Sequence, residues 1–261
     1  MGTEDLLGLL IPVTFFAMLG IEAFGTGRPW PDVRYWRFKG IGFFVLLMAI
    51  NIALPGLLAD SLGAYSLLPG QKLGLIGGIV VGFLALTLAT ALLHRAYHRY
   101  DLLWRWVHQL HHSPPRLDVA GSVLFTPQEI VLNVLVFQVV EVLILGINPV
   151  AAAAVGTIAA FYGMFQHFNI HTPQWLGHLI QRPESHGVHH RRGYHQWNYA
   201  DLPLWDMAMG TFRNPRDYLG EVGFEGDTAT RITPMLVGRD ANAPLYGPAN
   251  RGSLKPAENP A

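Results

Sequence analysis

The uncharged run LGLIGGIVVGFLALTLATALL (residues 73–93) passes without a break into HRAYHRYDLLWRWVHQLHH (residues 94–112). The first part holds no charge over twenty-one positions. That is enough to cross the hydrocarbon core of a bilayer as a helix, which takes about 20 apolar residues. The second part crowds five of the chain's twelve histidines into nineteen positions. A helix that leaves a membrane and enters a cluster of imidazoles sets both the fold class and the place of any chemistry.

Working outward, four further stretches have the composition of membrane spans. Residues 41–59 are uncharged, and residues 6–24 are interrupted only by Glu22. Residues 130–147 and 149–166 are shorter and share the connection Gly146-Ile147-Asn148-Pro149, so they read as a helical hairpin that crosses and returns, with a re-entrant pair as the alternative. Glu141 lies inside the fourth stretch; an ionisable group in lipid is functional by default, and here its expected place is near the far headgroups. Gly77, Gly78 and Gly82 in the third stretch and AAAAVG (151–156) in the fifth allow close backbone approach between helices. The expectation is an all-α fold: a multi-pass transmembrane helix bundle with a cytoplasmic helical cap holding a histidine-rich dimetal site. Its parts are residues 1–93 (three transmembrane helices), 94–215 (a histidine-box region including the hairpin 130–166) and 216–261 (a tail, partly loosely ordered).

Composition excludes other classes. The chain is 51% hydrophobic and 14% charged, with a formal net charge of zero, so nothing favours nucleic acid as a partner. Without cysteine there is no disulfide framework, thiolate metal site or thiolate-held iron–sulfur cluster. The N-terminal MGTEDLLGLL lacks the positive region of a cleaved signal and is expected to stay attached. In a five-span arrangement seventeen of the eighteen Lys and Arg residues, all but Lys72, fall on one side, together with every histidine. The positive-inside rule makes that side cytoplasmic, in a bacterial inner membrane or the endoplasmic reticulum.

The histidines recur as HRAYH (His94, His98), HQLHH (His108, His111, His112), HFNIH (His167, His171) and HGVHH (His186, His189, His190). On a helix, residues three and four apart share a face, so each pattern projects two or three rings together, as a metal site requires. From His98 to His108 a straight helix would rise about 15 Å. A compact site therefore predicts a bend near Tyr100-Asp101, with Trp104 and Trp106 at the membrane interface. Ten rings exceed the needs of one ion, and two ions with four to six nitrogens each account for them. Imidazole suits iron, zinc, copper and nickel alike. HExxH and Glu-x-x-His are absent, which excludes the common zinc-protease and ferritin-like di-iron arrangements. Asp101, Asp118, Glu184, Asp201 and Asp206 are the nearby carboxylates able to orient ligating rings, although for most of them a surface salt bridge is the expected role. His178 reads as an ordinary interfacial residue.

HRAYH, HQLHH and HGVHH in that order around paired spans resemble the fatty acid hydroxylase/sterol desaturase superfamily. NYADLPLWDMAMGTF (198–212) is similar to the signature that comes after that family's last histidine box, with Ala200 where Gly is usual and Met209 where Phe is frequent. The similarity covers roughly residues 90–215. It implies an integral-membrane, non-haem di-iron enzyme that uses O2 to attack an unactivated C–H bond of a hydrophobic lipid, such as an acyl chain or sterol. By matching position His94, His98, His108, His111, His112, His186, His189 and His190 would ligate two iron ions, which zinc can replace by mismetallation. His167 and His171 match an additional pair found in one branch, and His195 stands five residues beyond the last box. Hydroxylation is favoured over desaturation. No G-x-G-x-x-G nucleotide motif or fused HPGG segment is present, so electrons are expected from a separate ferredoxin, cytochrome b5-like protein or reductase. Two other classes use histidines in membranes. A haem-bearing cytochrome would place axial pairs within the spans, and a histidine-rich zinc transporter would line a path with ionisable groups.

Overall fold

Long apolar runs flanked by charged or glycine-rich segments form the helices that the composition predicts. In the computed structural model, which describes residues 1–25, 27–62, 65–193, 196–218, 220–226 and 231–241, these are α1 (Thr3–Glu22), α2 (Trp36–Leu62) and α3 (Gly74–Arg99). Next come α4 (residues 101–112) and α5 (Pro127–Leu145). They are followed by α6 (Pro149–Phe165), α7 (Pro183–His189), α8 (Pro203–Met209) and α9 (Ile232–Leu236). Short 3-10 turns occur at Gly70–Leu73 and Gln174–His178. No strand occurs among the described residues; a single bridge joins Arg191 to Val222.

Among the described residues four helices are long and apolar enough to cross a membrane: Thr3–Glu22, Trp36–Leu58, Gly70–Arg99 and Pro127–Leu145. The fifth, α6, has 17 residues and rises roughly 25 Å at 1.5 Å per residue, short of the usual span. The hairpin is closed as its residues suggest. Gly146 takes a left-handed φ of 59° to cap α5, and a Cβ there would fall 2.4 Å from Ser66 Cβ. Asn148 then caps α6 by accepting from the Val150 N–H at 2.8 Å, with Pro149 in the first turn.

α6 packs against both α1 and α3, and α2 packs against α5. Phe15 of α1 and Phe44 of α2 stack with ring centroids 4.1 Å apart. They belong to a core that continues through Met18, Trp36 and Leu110 to Phe224 and Met235. A second cluster (Leu86, Val140, Ile147, Ala151, Val155) joins α3, α5 and α6. The carboxylate at the end of the first span serves this packing: Glu22 accepts from the N–H groups of Val119 (3.0 Å) and Asn169 (2.7 Å), pinning α1 to the cap.

Two expectations change. Glu141 does not reach headgroups: it is fully buried against Gly82, where a Cβ would lie 2.4 Å from its Oε2. Among the described residues neither of its oxygens has a hydrogen-bond partner. Trp104 is 4% exposed rather than interfacial, because α4 turns it inward against His98, His112 and Phe224; Trp106 is 42% exposed. The early part of the tail is built into the fold. Gly223 and Phe224 donate to the carbonyls of His190 and Ser113, and Gln109 holds both Arg239 O and the Ala241 N–H. The final twenty residues, for which looseness is expected, lie outside the described residues.

Candidate metal centre

α3 carries His94 and His98 one turn apart at its C-terminal end. The helix then stops at Tyr100, whose φ of −107° and ψ of 120° are extended, and the chain folds back as α4, giving the bend that the spacing demands. α4 contains a π-helical turn over Trp104–His108 between Asp101–Leu103 and Gln109–His112. Each such turn adds a residue to the α register and rotates the residues beyond it by about 100°. α7 supplies His186 and His189, with His190 as its cap, and His167 lies just past the end of α6.

These rings sort into two adjoining clusters. One nitrogen each from His94, His98, His108, His112 and His189 lie within 4.8 Å of one another, and so do nitrogens of His111, His167, His186 and His190. The two HxxHH segments divide in opposite senses. On α4 the i,i+4 pair His108/His112 joins the first cluster and His111 the second. On α7 the pair His186/His190 joins the second and His189 the first. Residues at i+3 and i+4 point about 100° apart on a helix, so one short helix serves two sites. His112 and His190, one from each cluster, stack at 4.1 Å.

The outer nitrogens are held by protein acceptors. His94 Nδ1–H donates to Tyr199 O (2.7 Å), His108 Nδ1–H to Glu129 Oε1 (2.6 Å), His167 Nδ1–H to Gly163 O (2.9 Å) and His189 Nδ1–H to Trp197 O (2.8 Å). With their protons held outward, His94 and His108 present Nε2 lone pairs to one another at 2.9 Å, a contact that repels unless a cation lies between. The buried Nε2 of His190 has no hydrogen-bond partner among the described residues. Burial holds His111, His112, His186 and His190 well below the usual histidine range and pushes His167 down to about 4. These five rings are therefore neutral at physiological pH, the state in which imidazole ligates metal. Inward-facing, all-nitrogen clusters of five and four rings fit two metal ions.

The loop after the last box explains its signature. Trp197 and Asn198 take left-handed φ angles of 65° and 48°, a conformation Asn tolerates better than most residues. Asn198 is locked by its Nδ2 donating to Ser185 O and Arg213 O and its Oδ1 accepting from the Arg213 N–H. Asp206 accepts from the N–H groups of Tyr199 (2.9 Å) and Ala200 (2.8 Å) and from Thr211 Oγ1 (2.6 Å). Together they aim the Trp197 and Tyr199 carbonyls at His189 and His94.

Below the histidines lies a cavity of about 870 Å³ between α1, α2, α3, α5 and α6. His94, His108, His111, His167 and His186 line one end, and Glu4 and Asp5 line the other. On α6 its wall runs from Ala152 to Met164, roughly 18 Å at 1.5 Å per residue. The small residues of α6 thus do more than bring helices together: Ala151 and Val155 pack toward α3, while Ala152, Ala153, Gly156 and Ala160 leave the cavity open.

Nine of the ten predicted ligands meet in the clusters; His171 does not. α6 ends at Phe165, so His167 and His171 share no helical face, and His171 is exposed. His195 lies outside the described residues. His178 is exposed beside Phe212, as expected. Of the five candidate carboxylates, Asp118, Glu184, Asp201 and Asp206 bond no clustered ring among the described residues. Asp101 pairs with Arg105, Asp118 with the Trp36 indole, Glu184 with Thr172 and Arg182, and Asp201 with Gln166, while Asp206 acts through Tyr199. A carboxylate outside that set, Glu129, does bond a ring. Thr126-Pro127-Gln128-Glu129 has the form of a capping box, and Thr126 does cap α5, but the glutamate turns to His108 instead.

Residues 79–211, just over half of the chain, match the fatty acid hydroxylase family. The chain is also 29% identical over 163 residues to ornithine lipid hydroxylase OlsE of Rhizobium tropici, across 60% of this chain and 49% of that protein. It therefore spans about half the length of this relative. No solved structure matches the chain.

Proposed function

The chain belongs to the fatty acid hydroxylase family, and from that premise we propose that it is a membrane lipid hydroxylase with two iron ions, using O2 and external electrons. The observation that carries this reading is the meeting of nine imidazoles in two clusters, five of whose rings line an apolar cavity among membrane-spanning helices. His94, His98, His108, His112 and His189 would hold one ion, and His111, His167, His186 and His190 the other. When bound, iron supplies the capacity to activate O2 for insertion into an unreactive C–H bond.

The residues of the chain supply placement. Glu129, Tyr199, Trp197 and Gly163 keep the ring protons on the outer nitrogens, so the inner ones face the metals. The cavity wall of α2, α5 and α6 aligns an extended hydrocarbon and excludes water, which turns a collision into a positioned reaction. The activity in the relative's name makes an ornithine lipid, an acylated amino acid, the first substrate to try. The basic residues that share a side with the histidines favour a centre on the cytoplasmic face, where a separate ferredoxin, cytochrome or reductase delivers electrons.

The test compares lipid extracts, by mass spectrometry, from cells carrying the wild-type gene, His186→Ala or no gene. A lipid that gains one oxygen only with the wild type is the expected result. Loss of two hydrogens would make the enzyme a desaturase, and identical extracts would overturn the proposal.

A further inference from the structure

The helix α8 lies beyond the last apolar span, yet it carries no charge on its exposed surface. Leu204 (48% exposed), Met207 (38%) and Ala208 face outward, while Asp206 is buried on the inner side. Trp175 (64%) and Leu179 (61%) extend the apolar surface onto the neighbouring 3-10 turn Gln174–His178, against which α8 packs. Scattered exposed apolar residues are ordinary, but a contiguous set marks an interaction surface.

Depth identifies the partner. Trp205 Nε1 donates to Thr87 Oγ1 at 2.9 Å, and Thr87 is well inside the third span. The uncharged run continues to Leu93, so Thr87 lies about 9 Å along the axis below its end. Helices that lie in the plane of a membrane bury their apolar face roughly 5–10 Å into the headgroup and acyl boundary. Leu84 and Leu92 of α3, before and after Thr87 on the same helix, are also exposed, so exposed apolar residues of a membrane-spanning helix lie on either side of the position to which α8 is tied.

We propose that α8 and the Gln174–His178 turn lie within the bilayer leaflet on the histidine side, with the acyl chains of that leaflet as their partner. The cap is thus partly sunk in lipid rather than standing clear of it. The inner face of α8 is wired to the metal centre, since Asp206 holds Tyr199 and Ala200, and Tyr199 O holds His94. The leaflet therefore supports the helix that positions a ligand. This placement needs the chain to span a membrane but is independent of the reaction it performs.

Because the chain has no cysteine, single-cysteine variants report without background. L204C, M207C and E221C would be made in membranes opened to reagent from both faces and treated with a charged maleimide or an apolar one. Total thiol measured in SDS serves as the denominator. Glu221 is the aqueous control, with a 72% exposed side chain. The expected result is charged-reagent labelling about tenfold slower at 204 and 207 than at 221, with rapid labelling by the apolar reagent at all three. Labelling of L204C by the charged reagent as fast as E221C would overturn the proposal. Slow labelling of L204C by both reagents would also do so, since protein rather than lipid would then cover the site.

Discussion

Replacing Glu129 by alanine should cost one metal ion and spare the other. Glu129 is 1% exposed, and its Oε1 takes the Nδ1 proton of His108 at 2.6 Å. Removing it leaves that N–H buried without an acceptor, a loss of about 1–3 kcal/mol. At about 1.4 kcal/mol per tenfold, a middle value of ~2 kcal/mol weakens binding roughly thirtyfold. That lies within the ~10–100-fold typical of losing a partner that orients a metal ligand. Glu129→Gln retains an acceptor oxygen but exchanges a charge-assisted bond for a neutral one, so about 1 kcal/mol and fivefold are expected. His108 belongs to the five-histidine cluster alone. Iron per chain, followed during chelator competition on purified protein, should therefore show one ion leaving early and the ion of the other four histidines leaving at its wild-type concentration. Retention of both ions at unchanged affinity, or their loss together, would refute the assignment of Glu129 and the division into two clusters.

Other substitutions separate ligand, cavity and scaffold. His167→Ala removes one of four nitrogens and should empty the second cluster, whereas His171→Ala, on an exposed residue outside both clusters, should leave iron content unchanged. A Cβ on Gly163 meets no atom within 4 Å, and this residue lines the cavity beside His167. Gly163→Leu should therefore keep both ions, because the bond to His167 comes from the backbone, while raising the KM for lipid by about tenfold. Asp206→Ala leaves the Tyr199 and Ala200 N–H groups and the Thr211 hydroxyl unmatched. At about 1 kcal/mol each, a thermal melt in detergent should fall by roughly 5–10 °C, with metal loss beginning in the His94 cluster.

Local pattern was sufficient for much of this protein. Runs of uncharged residues fix helices because lipid offers the backbone no other partner, and the pairs at three and four positions apart announced a metal site because a helix turn places them together. Even the bend at Tyr100 came from distance alone, since ten straight residues cannot close a compact site. Where spacing was read across a helix end it misled: His167 and His171 are four apart, but α6 ends before either of them. Glu129 was hidden because its sequence signature belongs to helix capping, and its target lies 21 residues away.

What the sequence alone determined is therefore the set of candidate histidines and the apolar helices beside them, both set by interactions within a few residues of chain. Only the tertiary structure decided how nine rings divide between two clusters, which oxygens hold their outer protons, and that small residues of α6 leave a cavity beneath them. Those features depend on the relative rotation and approach of helices distant in the chain. Packing sets both, and no local periodicity encodes them.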